Sequence, residues 1–150
     1  MLEPMVSRLD DALAGAALSG VERRVVQRLV GLLREALGEK LLAVWLYGSR
    51  ARGEADPDET DPDRRSDVDL MVIVDPSRDA NRLSWDVLQL VEAAAAAESD
   101  SPVWYSVLVW DCERLRDRRE IRSFFVQEVD RDKVVLAGGQ LEEPKEARTP

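Results

Sequence analysis

Asp67 and Asp69 lie one residue apart where a hydrophobic run begins, and they are the first candidates for chemistry in this chain. Alternate residues of a strand point to the same face, so the two carboxylates project together if residues 68–75 form a strand. Carboxylates held side by side repel each other, and a divalent cation commonly offsets that repulsion. The pair therefore predicts a metal site.

A second candidate lies upstream, where the apolar run Leu41–Tyr47 ends in Gly48 and Ser49. A turn of small residues can bring backbone N–H groups up to a phosphate. Arg50 and Arg52 follow in the same segment, where each either contacts phosphate or pairs with acidic residues nearby. A phosphate-binding turn followed by a metal-binding acid pair is the chemistry of a nucleotide site.

Two segments, GSRARG at 48–53 and SDVDL at 66–70, resemble the motif of the nucleotidyltransferase superfamily that includes DNA polymerase beta. They are most similar to the small stand-alone bacterial and archaeal members, called minimal nucleotidyltransferases. The resemblance extends over residues 41–136. It implies an α/β (α+β) nucleotidyltransferase fold, with a small mixed β-sheet of three to four strands flanked by helices.

The resemblance also implies roles for individual residues. Gly48, Ser49, Arg50 and Arg52 are expected to bind the nucleotide. Asp67 and Asp69 are expected to be catalytic and to hold one or two Mg²⁺ ions, with an NTP as substrate or ligand.

The third metal-binding carboxylate of the family has no evident counterpart, because alignment of residues 102–115 places Ser106 at its position. A hydroxyl is a poor Mg²⁺ ligand and does not act as a base near neutral pH. Asp75 lies ~20 Å along the strand from Asp69, too far for one metal cluster. Asp111 has the opposite parity to Ser106 and is expected to cap the next helix. An acid of loop 54–65 that folds inward remains the alternative.

Two functions follow from these motifs. The resemblance implies a Mg²⁺-dependent nucleotidyltransferase that moves an NMP group from an NTP to a hydroxyl of a protein, a small molecule or a nucleic-acid end. Minimal members are often paired with a helical HEPN-type protein, so the antitoxin of a toxin–antitoxin pair is one specific form, and a homodimer is another way to complete the site. The alternative, which Ser106 favours, is a catalytically degenerate nucleotide-binding or partner-masking module.

Composition narrows the class of protein. With 150 residues, of which 45% are hydrophobic, the chain can build one core. A net charge of −9 argues against nucleic acid as the main partner and against binding to an anionic membrane. The chain has no histidine and a single cysteine, Cys112, which excludes histidine catalysis and an internal disulfide. No apolar run reaches the ~20 residues of a membrane span, and a cytoplasmic location is expected.

Hydrophobic periodicity predicts the elements that position the motifs. Ser19 and Gly38 are the expected caps of the second helix. The acidic segment 54–65 is predicted to be a solvated loop, with a flap over the site as the alternative. We expect one domain over residues 1–137, with its core at 41–136, and a disordered tail at 138–150. The predicted helices are 5–18, 21–37, 79–98 and 113–129, and the predicted strands are 41–47, 68–75, 102–110 and 133–136.

Overall fold

The computed structural model describes residues 9–54, 56, 59, 61, 66–76, 80–98 and 105–141. They contain a four-stranded sheet in the order β3-β2-β1-β4. Strand β1 is antiparallel to both β2 and β4, whereas β2 and β3 are parallel. The predicted small mixed sheet flanked by helices is confirmed. The strands are β1 (Leu41–Tyr47), β2 (Val68–Val74), β3 (Tyr105–Asp111) and β4 (Val134–Gly138).

The helices lie on both faces of this sheet. Residues 9–13 are helical, and a 3₁₀ turn at Gly38–Lys40 leads from the first long helix into β1. None of the helices among the described residues is long and apolar enough to cross a membrane. The helices are α1 (Gly20–Leu37), α2 (Gly48–Arg52), α3 (Ala80–Glu98), α4 (Cys112–Glu120) and α5 (Phe124–Asp132).

Helix α1 begins and ends where its sequence predicts. The Ser19 side chain accepts a hydrogen bond from the Glu22 backbone N–H, and the Glu22 carboxylate accepts one from the Ser19 N–H, which together form a capping box. Gly38 closes the helix through its N–H, which donates to the Arg34 carbonyl.

Side chains along β1 and β2 point alternately to the two faces of the sheet, so each face has its own hydrophobic core. Leu46 and Leu70 face a core formed with residues 9–18, α1 and α3, whereas Trp45 and Met71 face a second core under α4 and α5. Residues 43–47 and 70–74 are buried on both faces, as predicted for β1 from its apolar run. The motif at the ends of these strands is therefore held by the rigid centre of the sheet.

The single helix predicted over residues 113–129 is wrong, because the structure has two helices with a break between them. Arg122 adopts a left-handed conformation (φ 54°), the Ser123 N–H donates to the Arg118 carbonyl, and the Arg122 N–H donates to the Arg119 carbonyl. These bonds form the Schellman arrangement that ends α4. The position is normally glycine, so an arginine there gives no sequence signal for the break.

The first helix, predicted over residues 5–18, is too long: of its described residues only 9–13 are helical, and the Ala17 N–H pairs with the Arg50 carbonyl instead of continuing the helix. The segment after β1, predicted as a turn, is the short helix α2. The other predicted helices and strands agree with the structure to within about two residues where it describes them.

The short strand expected at 133–136 is β4, and the first part of strand 102–110 lies outside the described residues, as do 142–150 and most of loop 54–65. The domain boundary at 137, the disordered tail and the flap stay predictions.

Candidate functional site

The antiparallel pairing of β1 and β2 brings the two halves of the motif together. Tyr47, the last residue of β1, is the cross-strand partner of Asp69. Gly48 follows at once and has a positive φ of 77°, a conformation that favours glycine. A Cβ atom added to Gly48 would lie 2.6 Å from Asp69 Oδ2. The glycine backbone and the carboxylate therefore pack directly against each other.

The two aspartates lie at the entry to β2. Asp67 precedes the strand and is exposed, whereas Asp69 is half-buried. Burial, and secondarily the negative charge of Asp67, raises the pKa of Asp69 to about 6, although the positive charge of Arg50 partly opposes the rise. The structure thus brings the predicted acid pair together in a place where a negative charge is unfavourable.

Tyr47 shares this environment. Its side chain is buried on the same face as Trp45 and Met71. Burial, and secondarily the charge of Asp69, raises the pKa of Tyr47 to about 12. The phenol is therefore neutral throughout the physiological range and does not add a charge to the site.

A small cavity of about 120 Å³ opens beside Gly48, between the end of β1 and α5. The Tyr47 and Phe125 rings meet edge to face, with their centroids 5.6 Å apart. Charged side chains lie at the rim, so the cavity has an aromatic wall and polar atoms around it. Its lining residues are Tyr47, Gly48, Arg52, Phe125, Glu128, Val129 and Asp132.

The two arginines of the motif have different environments. Arg52 lines the cavity and is held by two acids: Nε donates to Glu54 Oε1 at 2.9 Å, and an NH1 hydrogen donates to Asp132 Oδ2 at 3.1 Å. Arg50 is fully buried and points into the protein, where it makes four hydrogen bonds. Ser49 lies between them in α2 and is partly exposed. The nucleotide contacts of Ser49, Arg50 and Arg52 stay predictions.

Ser106 lies directly beside Asp69 in the parallel register of β2 and β3. Within the described residues, no cluster of three or more aspartate, glutamate, histidine or cysteine side chains could hold a metal ion. Asp111 accepts a hydrogen bond from the Arg114 N–H and is the N-cap of α4, as expected. Asp75 follows the opposite end of β2. Beside Asp69 on β3 there is therefore a hydroxyl where a third metal-binding carboxylate would be needed.

Three contributors to the site were not identified from the sequence. Tyr47 and Phe125 belong to apolar runs, and nothing in their spacing separates a cavity wall from an ordinary core position. Glu22 has a partial signal, since Ser19 and Glu22 form the S-x-x-E pattern of a capping box. That pattern predicts the cap but not the second bond of Glu22 to Arg50.

No family model and no curated protein matches the chain. Among solved structures, a crystal structure of a toxin–antitoxin with AMP-PNP is similar at 26% identity and a TM-score of 0.45, covering 76% of this chain and 73% of the other. A MntA-HpeT toxin–antitoxin mutant overlaps at 23% identity and a TM-score of 0.46, covering 77% and 73%. A presumed nucleotidyltransferase from Sulfolobus solfataricus overlaps at 18% identity and a TM-score of 0.37, covering 89% and 83%.

We expect Asp69→Asn to stabilise the metal-free protein at neutral pH. The folded-state pKa of Asp69 is raised to about 6 from 3.8. Protonation of Asp69 therefore stabilises the folded state fully below about pH 4, and this stabilisation is lost as the pH rises through 6. The amide removes this penalty, so the free energy of unfolding should rise by about 1 kcal/mol at pH 7.5, a value reduced for partial solvent access. Urea denaturation at pH 4 and 7.5 measures the difference. Asp86→Asn on the exposed side of α3 is the control, and an equal gain at both pH values would contradict the account.

Substitution of Gly48 tests the packing of the turn against Asp69. Gly48→Ala should lower the free energy of unfolding by about 2 kcal/mol, because alanine is strained at a positive φ and its methyl group meets the carboxylate. Gly31 lies inside α1 with open space around it, so Gly31→Ala should instead add about 0.5–1 kcal/mol. Denaturation of both variants gives the comparison. A neutral Gly48→Ala would mean that the turn is not built as described.

Proposed function

We propose that this protein binds a Mg²⁺-bound nucleotide and transfers its NMP group to a hydroxyl acceptor. The observation that carries the proposal is the contact of Gly48 with Asp69, since it places a glycine backbone and an acid pair at one point on the sheet. Phosphates require close backbone approach and a cation, and the two halves of the motif offer both. The resemblance in residues 48–53 and 66–70 supports the same chemistry.

The donor atoms fit a hard divalent cation. Asp67 and Asp69 present carboxylate oxygens, the ligands that Mg²⁺ prefers. A bound cation would offset the burial and the repulsion from Asp67 that together raise the pKa of Asp69. When bound, one or two Mg²⁺ ions supply charge neutralisation at the phosphates. Asp67 is open to solvent, so the pair leaves room for a ligand on its outer side.

The other residues of the site position the substrate. Gly48 and Ser49 offer backbone and hydroxyl groups to the phosphates, and Arg52 at the cavity rim offers a guanidinium once it leaves Glu54 or Asp132. The neutral phenol of Tyr47 and the ring of Phe125 exclude water from the inner wall of the cavity. Catalysis here consists of positioning and electrostatics, as is general for phosphoryl transfer.

The acceptor is proposed to be presented by a second chain, either a helical HEPN-type partner or another copy of this protein. The described residues form one sheet with its helices and contain no separate unit that could hold an acceptor. Phe124 is 74% exposed beside Phe125 of the cavity wall, so apolar surface continues outward from the site. An antitoxin that modifies its toxin is the specific form of this proposal.

A second candidate function is nucleotide binding without efficient transfer. Ser106 occupies the position beside Asp69, and the described residues supply no third acid. Loss of a metal-ligating acid commonly reduces a rate by several powers of ten, around 4 kcal/mol or more of transition-state stabilisation. Binding through two acids and the Gly48 turn could persist after such a loss, which would leave a sensor or a partner-masking module.

We expect Mg-ATP, or another Mg-NTP, to raise the thermal midpoint. A ligand at 100 times its Kd stabilises the folded state by about 2.7 kcal/mol, which for a chain of this size corresponds to roughly 5–10 °C. Asp67→Asn combined with Asp69→Asn should abolish the rise, because the cation loses both carboxylates. Differential scanning fluorimetry with each NTP measures it. Asp86→Asn is the matched control, and an unchanged wild-type midpoint with every NTP would overturn both functions.

Restoring an acid beside Asp69 separates the two functions. Ser106→Asp places a third carboxylate next to the pair and should raise transfer from labelled NTP to a candidate partner by at least about tenfold if the missing ligand limits the rate. Ser84→Asp on the exposed face of α3 adds the same charge elsewhere and should have no effect. Equal transfer by all three proteins would show that Ser106 does not occupy the position of the missing ligand.

A further inference from the structure

Two charged side chains are buried among the described residues, Glu22 at 1% and Arg50 at 0% relative exposure. Arg50 donates from NH1 to Glu22 Oε1 at 2.7 Å. Removing such a pair from water carries a desolvation penalty, and apolar residues of similar volume often stabilise a fold equally well. The hydrogen bonds that surround the pair indicate what it does.

Arg50 connects three separate segments of the chain. Its NH1 group also donates to the Ala17 carbonyl at 2.9 Å, while the Ala17 N–H donates to the Arg50 carbonyl at 2.8 Å. Its Nε donates to Ser66 Oγ and its NH2 to the Ser66 carbonyl, both at 2.9 Å. The guanidinium thus joins the segment before α1, the N-terminus of α1 and the residue that leads into β2.

Ser66 links this network to the acid pair, because it immediately precedes Asp67. Both its hydroxyl and its carbonyl are held by one planar guanidinium, which fixes position and orientation together. Asp67 lies outside β2 and has no sheet pairing of its own. The bonds at Ser66 therefore hold the backbone on one side of Asp67, while β2 holds it on the other.

We propose that Glu22 and Arg50 are positioning residues that hold the Asp67–Asp69 pair against Gly48 before a cation binds. Glu22 orients the guanidinium of Arg50, and the guanidinium holds Ser66 by two hydrogen bonds. Ser66 in turn positions the backbone that leads into the metal-binding aspartates. The inference rests on the proposed function, since it assigns these residues to the same metal site. Arg50 was expected to bind the nucleotide, and the inference instead assigns it a supporting role in the interior of the protein.

Two mild variants interrupt the network at different points. Ser66→Ala removes the hydroxyl that accepts from Arg50 and leaves the carbonyl bond. Glu22→Gln keeps the capping box, because glutamine also serves at that position, but removes the charge that orients Arg50. The matched controls are Ser84→Ala on the exposed face of α3 and Glu98→Gln, which weakens the surface pairs with Arg24 and Arg28.

Two measurements on the full chain test the proposal. The first is amide hydrogen exchange of residues 66–70 without metal, which should accelerate by at least about tenfold in both variants and in neither control. The second is the Kd for Mn²⁺ alone, from the electron paramagnetic resonance signal of the free ion, which should rise about 10- to 100-fold in both variants, as for other outer-shell partners of metal ligands.

The outcomes separate this inference from the proposed function. A wild-type protein that does not bind Mn²⁺ would remove the metal site and the inference with it. Wild-type binding that both variants retain with an unchanged Kd would overturn the positioning role alone. Faster exchange with an unchanged Kd would also overturn it, because the network would then support only the fold.

Discussion

The pairing of β1 with β2 holds two like charges close together at the entry to β2, at a cost to the stability of the metal-free fold. Asp67 and Asp69 lie close enough for their charges to interact, and Asp69 is half-buried against the backbone of Gly48. The rigid pairing of β1 with β2 holds this arrangement in place, so the chain does not relax by separating the carboxylates. Unfavourable charge that a fold maintains at one point is typical of a functional site, because a ligand can relieve it.

A buried positive charge, the guanidinium of Arg50, partly offsets the negative charge of the acid pair. This guanidinium partly opposes the rise in the pKa of Asp69 that burial and Asp67 cause, and it is itself balanced by Glu22. The N-terminus of α1, the turn after β1 and the start of β2 are thereby coupled through one side chain. Residues that are distant in sequence are thus linked by hydrogen bonds to the residue that precedes the acid pair.

The sequence predicts the sheet and the motif well, because both depend on local patterns. Alternating and continuous apolar runs identify β1 and β2, and the spacing of Asp67 and Asp69 predicts their common face. The family resemblance places Ser106 on the strand beside the acid pair, and the β2–β3 register, in which Ser106 is the partner of Asp69, agrees with it.

Tertiary contacts without a local signal could not be predicted. Arg50 resembles any exposed arginine of a phosphate-binding turn until the fold surrounds it with Glu22 and Ser66. The break after α4 depends on Arg122 in a conformation that normally requires glycine. Phe125 lines the cavity from α5, the helix that follows this break.

The most direct test of the central claim is anomalous diffraction at the manganese edge, from crystals grown with Mn²⁺ and a non-hydrolysable NTP. We expect a peak within coordination distance of carboxylate oxygens of both Asp67 and Asp69, with the phosphates against the backbone of Gly48 and Ser49. A nucleotide bound elsewhere, or manganese held by only one of the two aspartates, would contradict it.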